Sequence, residues 1–417
     1  MTTTTATFRS TQLACGAWLL SERMPSMSSV SVAWLSPVGT AGDPAGAAGE
    51  GASAMCAELL LRGTERSTSE ELARRLDVLG VQRNASAAVH HVNLSAVTTG
   101  PNVSGMLACL AEMVRSPRMD PEGVEQAKAL GLQAIAAVRD EPQQLCMQHL
   151  QRISMPEPFN RSGLGTPEGI QALTADGLRA AWHRRCTPGG TLIGIAGDVD
   201  HDAACAVLDQ ALAGWTGSST TMVPGGSPRS MRHLEVMPTS QTHMALSLDA
   251  PNARDEDRHA MRLAARVLGG GSSSRLFDEV RERRALCYSV GGSYSAGRDL
   301  GRVTIYAGSR PERAQETLDC ILRELERLEC GIDADELERA RIGILSRLVM
   351  SEESTSARAM ALASDWFTYG RLRTLDELTA DLRAVSLDQV NALLARRCGA
   401  SWREGLCRAI VAPADLA

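Results

Sequence analysis

The chain has 417 residues, 44% of them apolar, which is enough for packed cores and too long for one, so two domains of about 200 residues each are expected. A net charge of -6 and a pI near 5.8, with no basic stripe, exclude the electrostatic footprint of nucleic-acid binding. No apolar run is long enough to span a bilayer. The opening MTTTTATFRSTQLACGAWLL lacks a basic start, an apolar stretch and a small-residue cleavage site, and reads as a mature, cytoplasmic N-terminus. The 11 cysteines are odd in number and scattered, without a C-x-x-C pair, so reduced thiols are expected. Cys56, Cys109, Cys205 and Cys320 lie in helix-periodic segments as small hydrophobes.

SVSVAWLS, residues 29–36, alternates as a strand. Residues 51–80, GASAMCAELLLRGTERSTSEELARRLDVLG, read as a helix, a tight break and a second helix. A strand region follows, VQRNASAAVHHVNLSAVTT, in which His90 and His91 are adjacent and are expected on opposite faces. A helix over 103–114 precedes a longer one over 120–134 that opens on Asp120 as its N-cap. Past LIGIAGDVD, residues 192–200, the Gly/Ser/Thr/Pro-rich stretch 216–233 reads as a linker.

Beyond the linker the plan repeats. HMALSLDA and GRVTIYAG alternate as strands, and AARVLGGGSSSRLFDEVRER gives a helix, a break at Gly269–Gly271 and another helix. A helix over 313–325 precedes DADELERARIGILSR, which again opens on a capping residue, Asp333. Matching segments lie about 210 residues apart, the spacing of a duplicated domain rather than of a short solenoid repeat. Each half is therefore expected to be α+β, a mixed or antiparallel sheet with helices on one face, as domains 1–215 and 234–417 joined by 216–233.

These segments resemble the pitrilysin/insulinase-type zinc peptidases, the inverzincins, which include the mitochondrial processing peptidase. The likeness runs over roughly residues 8–410, and VLGGGSSSRLFDEVRERRALCYSVGGSY is its most specific part. It implies two halves facing each other as a clam shell around a cavity. Family members bind zinc with H-x-x-E-H on the first helix and a distal glutamate roughly 75 residues on. Aligned on RGT, the histidine positions hold Ala54 and Glu58, the general-base position holds Ala57, and the distal glutamate falls near Gln133 or Ala134. Catalytic zinc needs three protein ligands and an open water position, so the resemblance implies a degenerate member with no metal of its own. His149, His183, His201, His233, His243 and His259 show no ligand spacing.

The second half keeps more. Arg281 and Tyr288 in VRERRALCY match an Arg/Tyr pair that in the family reaches the active site and stabilises the developing oxyanion. Read locally, the arginines form a solvated helix face and Tyr288 is a packed strand residue. Asn84, Ala85 and Ser86 match the edge strand on which the family adds an extended peptide, a function that needs no metal. Gly269–Gly271 is a helix break or a substrate-guiding loop, and the phosphate-loop pattern G-x-x-x-x-G-K is absent. The leading expectation is the non-zinc subunit of a heterodimeric peptidase, as in some bacterial members, with an H-x-x-E-H homologue as partner and zinc only there. The alternatives are a homodimeric peptide-binding module and a scaffold subunit like those of respiratory complexes.

Overall fold

The computed structural model describes residues 7–226, 231–397 and 405–415; residues 227–230 of the linker lie outside these. In chain order the elements begin β1 (Thr7–Gln12), β2 (Trp18–Arg23), β3 (Ser29–Ser36), α1 (Ala52–Leu60), α2 (Ser69–Val78), β4 (Gln82–Ala87) and β5 (Val92–Thr99). Then follow α3 (Val103–Arg115), α4 (Pro121–Ala137), α5 (Pro142–Ser154), α6 (Pro167–Ala172), α7 (Ala175–Arg185), β6 (Leu192–Gly197) and α8 (His201–Ala211). The second half holds β7 (Arg232–Val236), β8 (Thr242–Ala250), α9 (Arg258–Gly269), a π-helical turn over Phe277–Arg283, β9 (Cys287–Ala296) and β10 (Gly301–Ser309). It closes with α10 (Ala314–Glu329), α11 (Ala334–Glu352), α12 (Thr355–Tyr369), α13 (Leu375–Ala384), α14 (Leu387–Arg397) and β11 (Cys407–Ala412).

The duplication is visible in the ladders. The first sheet runs β1-β2-β6-β3-β5-β4 and the second β7-β11-β8-β10-β9. Without β1, the two have the same order and the same sense throughout: β2 with β6 and β7 with β11 are parallel, and every other pair is antiparallel. Both expected helix starts hold as well. Asp120 Oδ1 accepts from Gly123 N at 2.7 Å, and Asp333 Oδ1 from Glu336 N at 2.8 Å. Such caps satisfy donors that the first turn leaves orphaned.

Packing divides the described chain into two units, and the division is not contiguous. Unit 1 holds Met1–Ala136, Arg161–Val223 and Met350–Thr374; unit 2 holds Ala137–Asn160, Pro224–Val349 and Leu375–Ala417. Relative to the 216–233 linker, α5 and α12, the helices that follow α4 and α11 in the two halves, have changed places. The reason lies in the strands. β3 and β6 are buried at nearly every position, on both faces. An all-buried strand needs a layer on each side.

In unit 1, Leu19, Trp34, Leu59, Leu94 and Leu107 fill the core under the main helical layer. On the other face Ala33, Leu35, Leu192 and Ala196 lie against Ala359 and Ala363 of α12. Gly194 makes the approach possible, since a Cβ there would overlap the Ala359 carbonyl. A buried ion cluster fixes the helix: Arg358 Nε donates to Glu22 Oε2 at 2.7 Å and its guanidinium also meets Glu352. Burial raises the Glu352 carboxyl above its ordinary range, with Arg358 opposing and Glu22 adding to the rise. In unit 2, Leu246, Leu263, Ile305, Ile321 and Leu393 fill the main core. The opposite face carries α5, whose Cys146 Sγ approaches the carbonyls of Ala409 and His243 at 3.3 and 3.5 Å. The larger helical layer thus covers one face of each sheet, as the sequence pattern predicts, and one further helix covers the other.

Candidate functional site

α1 survives where its expected chemistry does not. Gly51 gives it no side-chain cap, but the buried Asp43 carboxylate accepts from Ser53 N at 3.0 Å and from Gly51 N at 3.3 Å. Arg185 pairs with Asp43 at 2.9 Å, so the anion at the helix start is itself neutralised. Ala54 and Glu58 share a partly exposed face one turn apart, and the Glu58 carboxylate is engaged by Arg62 at 3.0 Å. Ala57, at the position of the general base, is 3% exposed and belongs to the core. On α4, Gln133 and Ala134 are exposed, and Gly131 leaves room for Met55 of α1. Positions 54, 57, 58 and 134 offer one carboxylate where a catalytic zinc needs three ligands. These residues do not fit the ion.

Among the described residues β4 pairs on one side only, with β5, Asn84 opposite Ser95 and Ala85 opposite Leu94. Asn84 and Ser86 are exposed, while Ala85 packs on the core. A cavity of about 290 Å³ opens beside this edge, lined by Arg83, Asn84, Val97, Ser356 and Met360 among others. His90 and His91 lie in the turn before β5 and not within a strand, which corrects the expectation of opposite faces. Both rings meet Phe367, at centroid distances of 4.9 and 4.6 Å.

Arg281 sits on the π-helical turn, its guanidinium over the Phe277 ring at 4.9 Å. The chain then passes Ala285 in the left-handed region, at φ 49°, and enters β9 at Cys287. Tyr288, 53% exposed, accepts a hydrogen bond from Arg310 Nε at 2.9 Å. Arg281 on the π-helical turn and Tyr288 at the start of β9 are therefore both exposed, each held by its own neighbour. The glycine run has a packing role at Gly269, where any Cβ would overlap the backbone of Gly292 on β9.

Among the described residues, one trio of metal-capable groups comes together, and it lies in unit 2: His149 of α5 with His233 and Glu235 of β7. The histidines show no ligand spacing along the sequence, and the fold brings two of them together with a carboxylate. The signal available in sequence was H-L-E at 233–235, two residues on one face of a strand, while His149 joins only through the tertiary fold.

Comparison with known proteins places these features in a family. Residues 19–166 match the model described as Insulinase (Peptidase family M16), and residues 172–344 the one described as Peptidase M16 inactive domain. A protein of Mycobacterium bovis named uncharacterized zinc protease is 29% identical, covering 94% of this chain and 92% of its own length. A Streptomyces coelicolor protein of the same description is 28% identical, covering 93% and 86%. In fold, the chain resembles a peptidase M16 inactive domain from Pseudomonas fluorescens, with TM-score 0.89, 20% identity and 98% of both chains covered. It also resembles a chain of complex III2 from Candida albicans, with TM-score 0.83, 17% identity and coverage of 97% and 96%.

Proposed function

Since this chain belongs to the insulinase-type peptidase family M16, we propose that it is the non-zinc subunit of a two-chain peptidase acting on extended peptides. One observation carries the reading. The metal positions on α1 are erased while Arg281, on the π-helical turn, and Tyr288, at the start of β9, stand exposed. In this proposal a homologous partner with an intact H-x-x-E-H supplies zinc and base, and this chain supplies two fixed donors for the developing oxyanion. The β4 edge, unpaired on its outer side among the described residues, supports backbone capture of the peptide at Asn84–Ser86.

Native mass spectrometry of the protein purified from its source, together with turnover of the complex, tests this. A one-to-one complex with an H-x-x-E-H homologue is expected, and Arg281→Ala or Tyr288→Phe should each lower its turnover by about 100-fold without dissociating it. Unchanged turnover in both variants would sink the proposal. The likeness to a complex III2 chain supports a second reading, a scaffold subunit. That reading predicts a large assembly and no crosslinking of unstructured peptides to β4.

A further inference from the structure

We propose that His149, His233 and Glu235 form a binding site for a divalent transition-metal ion of the Zn²⁺ class, separate from the erased position on α1. His233 and Glu235 are two residues apart on β7, so their side chains leave the same face of the sheet. α5 lies on that sheet with Cys146 turned toward β8 and β11. His149 is three residues further along α5, on the same side of the helix. The three ligand atoms all fall within 4.8 Å of one another. His149 Nε2 and Glu235 Oε2 are 2.6 Å apart, and the two imidazoles stack at a centroid distance of 4.0 Å, tilted by 34°.

The His233 Nε2 atom gives the strongest indication. It is buried and has no hydrogen-bond partner among the described residues. A buried imidazole nitrogen that no protein group satisfies is free to take an ion or a water as its partner. The donor chemistry selects the ion. Two imidazoles and one carboxylate suit zinc and its neighbours, whereas Mg²⁺ and Ca²⁺ take oxygen ligands. Ligands of a tetrahedral zinc sit roughly 3.3 Å apart, so side-chain adjustments on the order of an ångström would close the site. Three protein ligands leave a fourth position for water. Metal bound here would tie α5 to the edge strand of its sheet, joining residues far apart in sequence.

The test is Zn²⁺ titration of the chelator-stripped full-length chain, by calorimetry and by competition with a chromophoric chelator. One equivalent is expected, weakened at least about tenfold by His149→Ala, His233→Ala or Glu235→Gln, and unchanged by Glu58→Gln. Co²⁺ should give d–d bands without the thiolate charge-transfer band that binding to cysteines would produce. His149→Arg guards against misfolding: it keeps an ion pair with Glu235, should unfold at the zinc-free wild-type temperature, and should lose the rise in Tm that Zn²⁺ gives the wild type. No stoichiometric zinc, a thiolate spectrum, or equal affinity in all variants would overturn the site.

Discussion

Glu22 and Glu235 occupy the same place in the two copies of the fold. Glu22 on β2 stands opposite Ala196, the fifth residue of β6, and Glu235 on β7 stands opposite Val411, the fifth residue of β11. Each carboxylate is met by a residue of the exchanged helix. In unit 1 that residue is Arg358, and the pair is dry, its side chains 5% and 4% exposed. In unit 2 it is His149, and the pair is half open, at 20% and 31%. The position equivalent to His233 is Leu20, fully buried. The same strand position thus carries a dry ion pair in one copy and a partly exposed trio with two imidazoles in the other. Guanidinium cannot give up its proton at any ordinary pH and offers no lone pair to a metal, whereas imidazole does both.

The largest test of that contrast is stability. Arg358→Met leaves Glu22 and Glu352 buried without a counter-charge and should cost about 3–5 kcal/mol. Zinc-free Glu235→Gln, at a half-exposed pair, should cost less than about 1 kcal/mol. Urea unfolding of the full chain measures both, and equal losses would break the comparison.

A smaller effect is expected from pH. In unit 1 one titratable group near this strand is His201, held by Ser21 Oγ at 2.7 Å and Thr11 Oγ1 at 2.8 Å. Burial first, and the nearby Arg9 second, push its imidazole below the ordinary value, with Asp202 and Asp200 opposing. The unfolded chain then binds the proton more readily. The stabilisation is complete above about pH 6.5 and is lost as pH falls below that toward the folded value. Urea midpoints between pH 5 and 8 should show the fall, and His201→Gln should flatten it.

The smallest effect concerns thiol labelling. Cys146 on α5 is buried and its thiol is pushed up to about 12 by burial, so it should react far more slowly than the exposed Cys330. Zn²⁺ should slow Cys146 further if it clamps α5, and leave Cys330 unchanged. Mass-resolved alkylation reads both.

Much of the fold was legible because it is local. The alternation in residues 29–36 became β3 with those bounds, and Asp120 and Asp333 cap the helices they open. The loss of ligands on α1 was equally plain, being written in five consecutive residues. The rest depends on contacts between distant segments. Nothing near Cys146 indicates that it packs on Ala409, and nothing near His149 indicates Glu235. His90 and His91 were misplaced because the alternation rule assumes a strand, and the chain turns there instead.

The exchange of α5 and α12 also bears on how the protein is made. The face of β3 and β6 that α12 covers in unit 1 waits for residues 355–369, which leave the ribosome after most of unit 2. The first unit therefore cannot be finished as a nascent domain, although chains commonly fold from the N-terminus onward. Until then Ala33, Leu35, Leu192 and Ala196 form an uncovered apolar surface. A gene split in the linker would yield a first half that exposes this surface permanently, and co-expression of both halves would be needed to cover it.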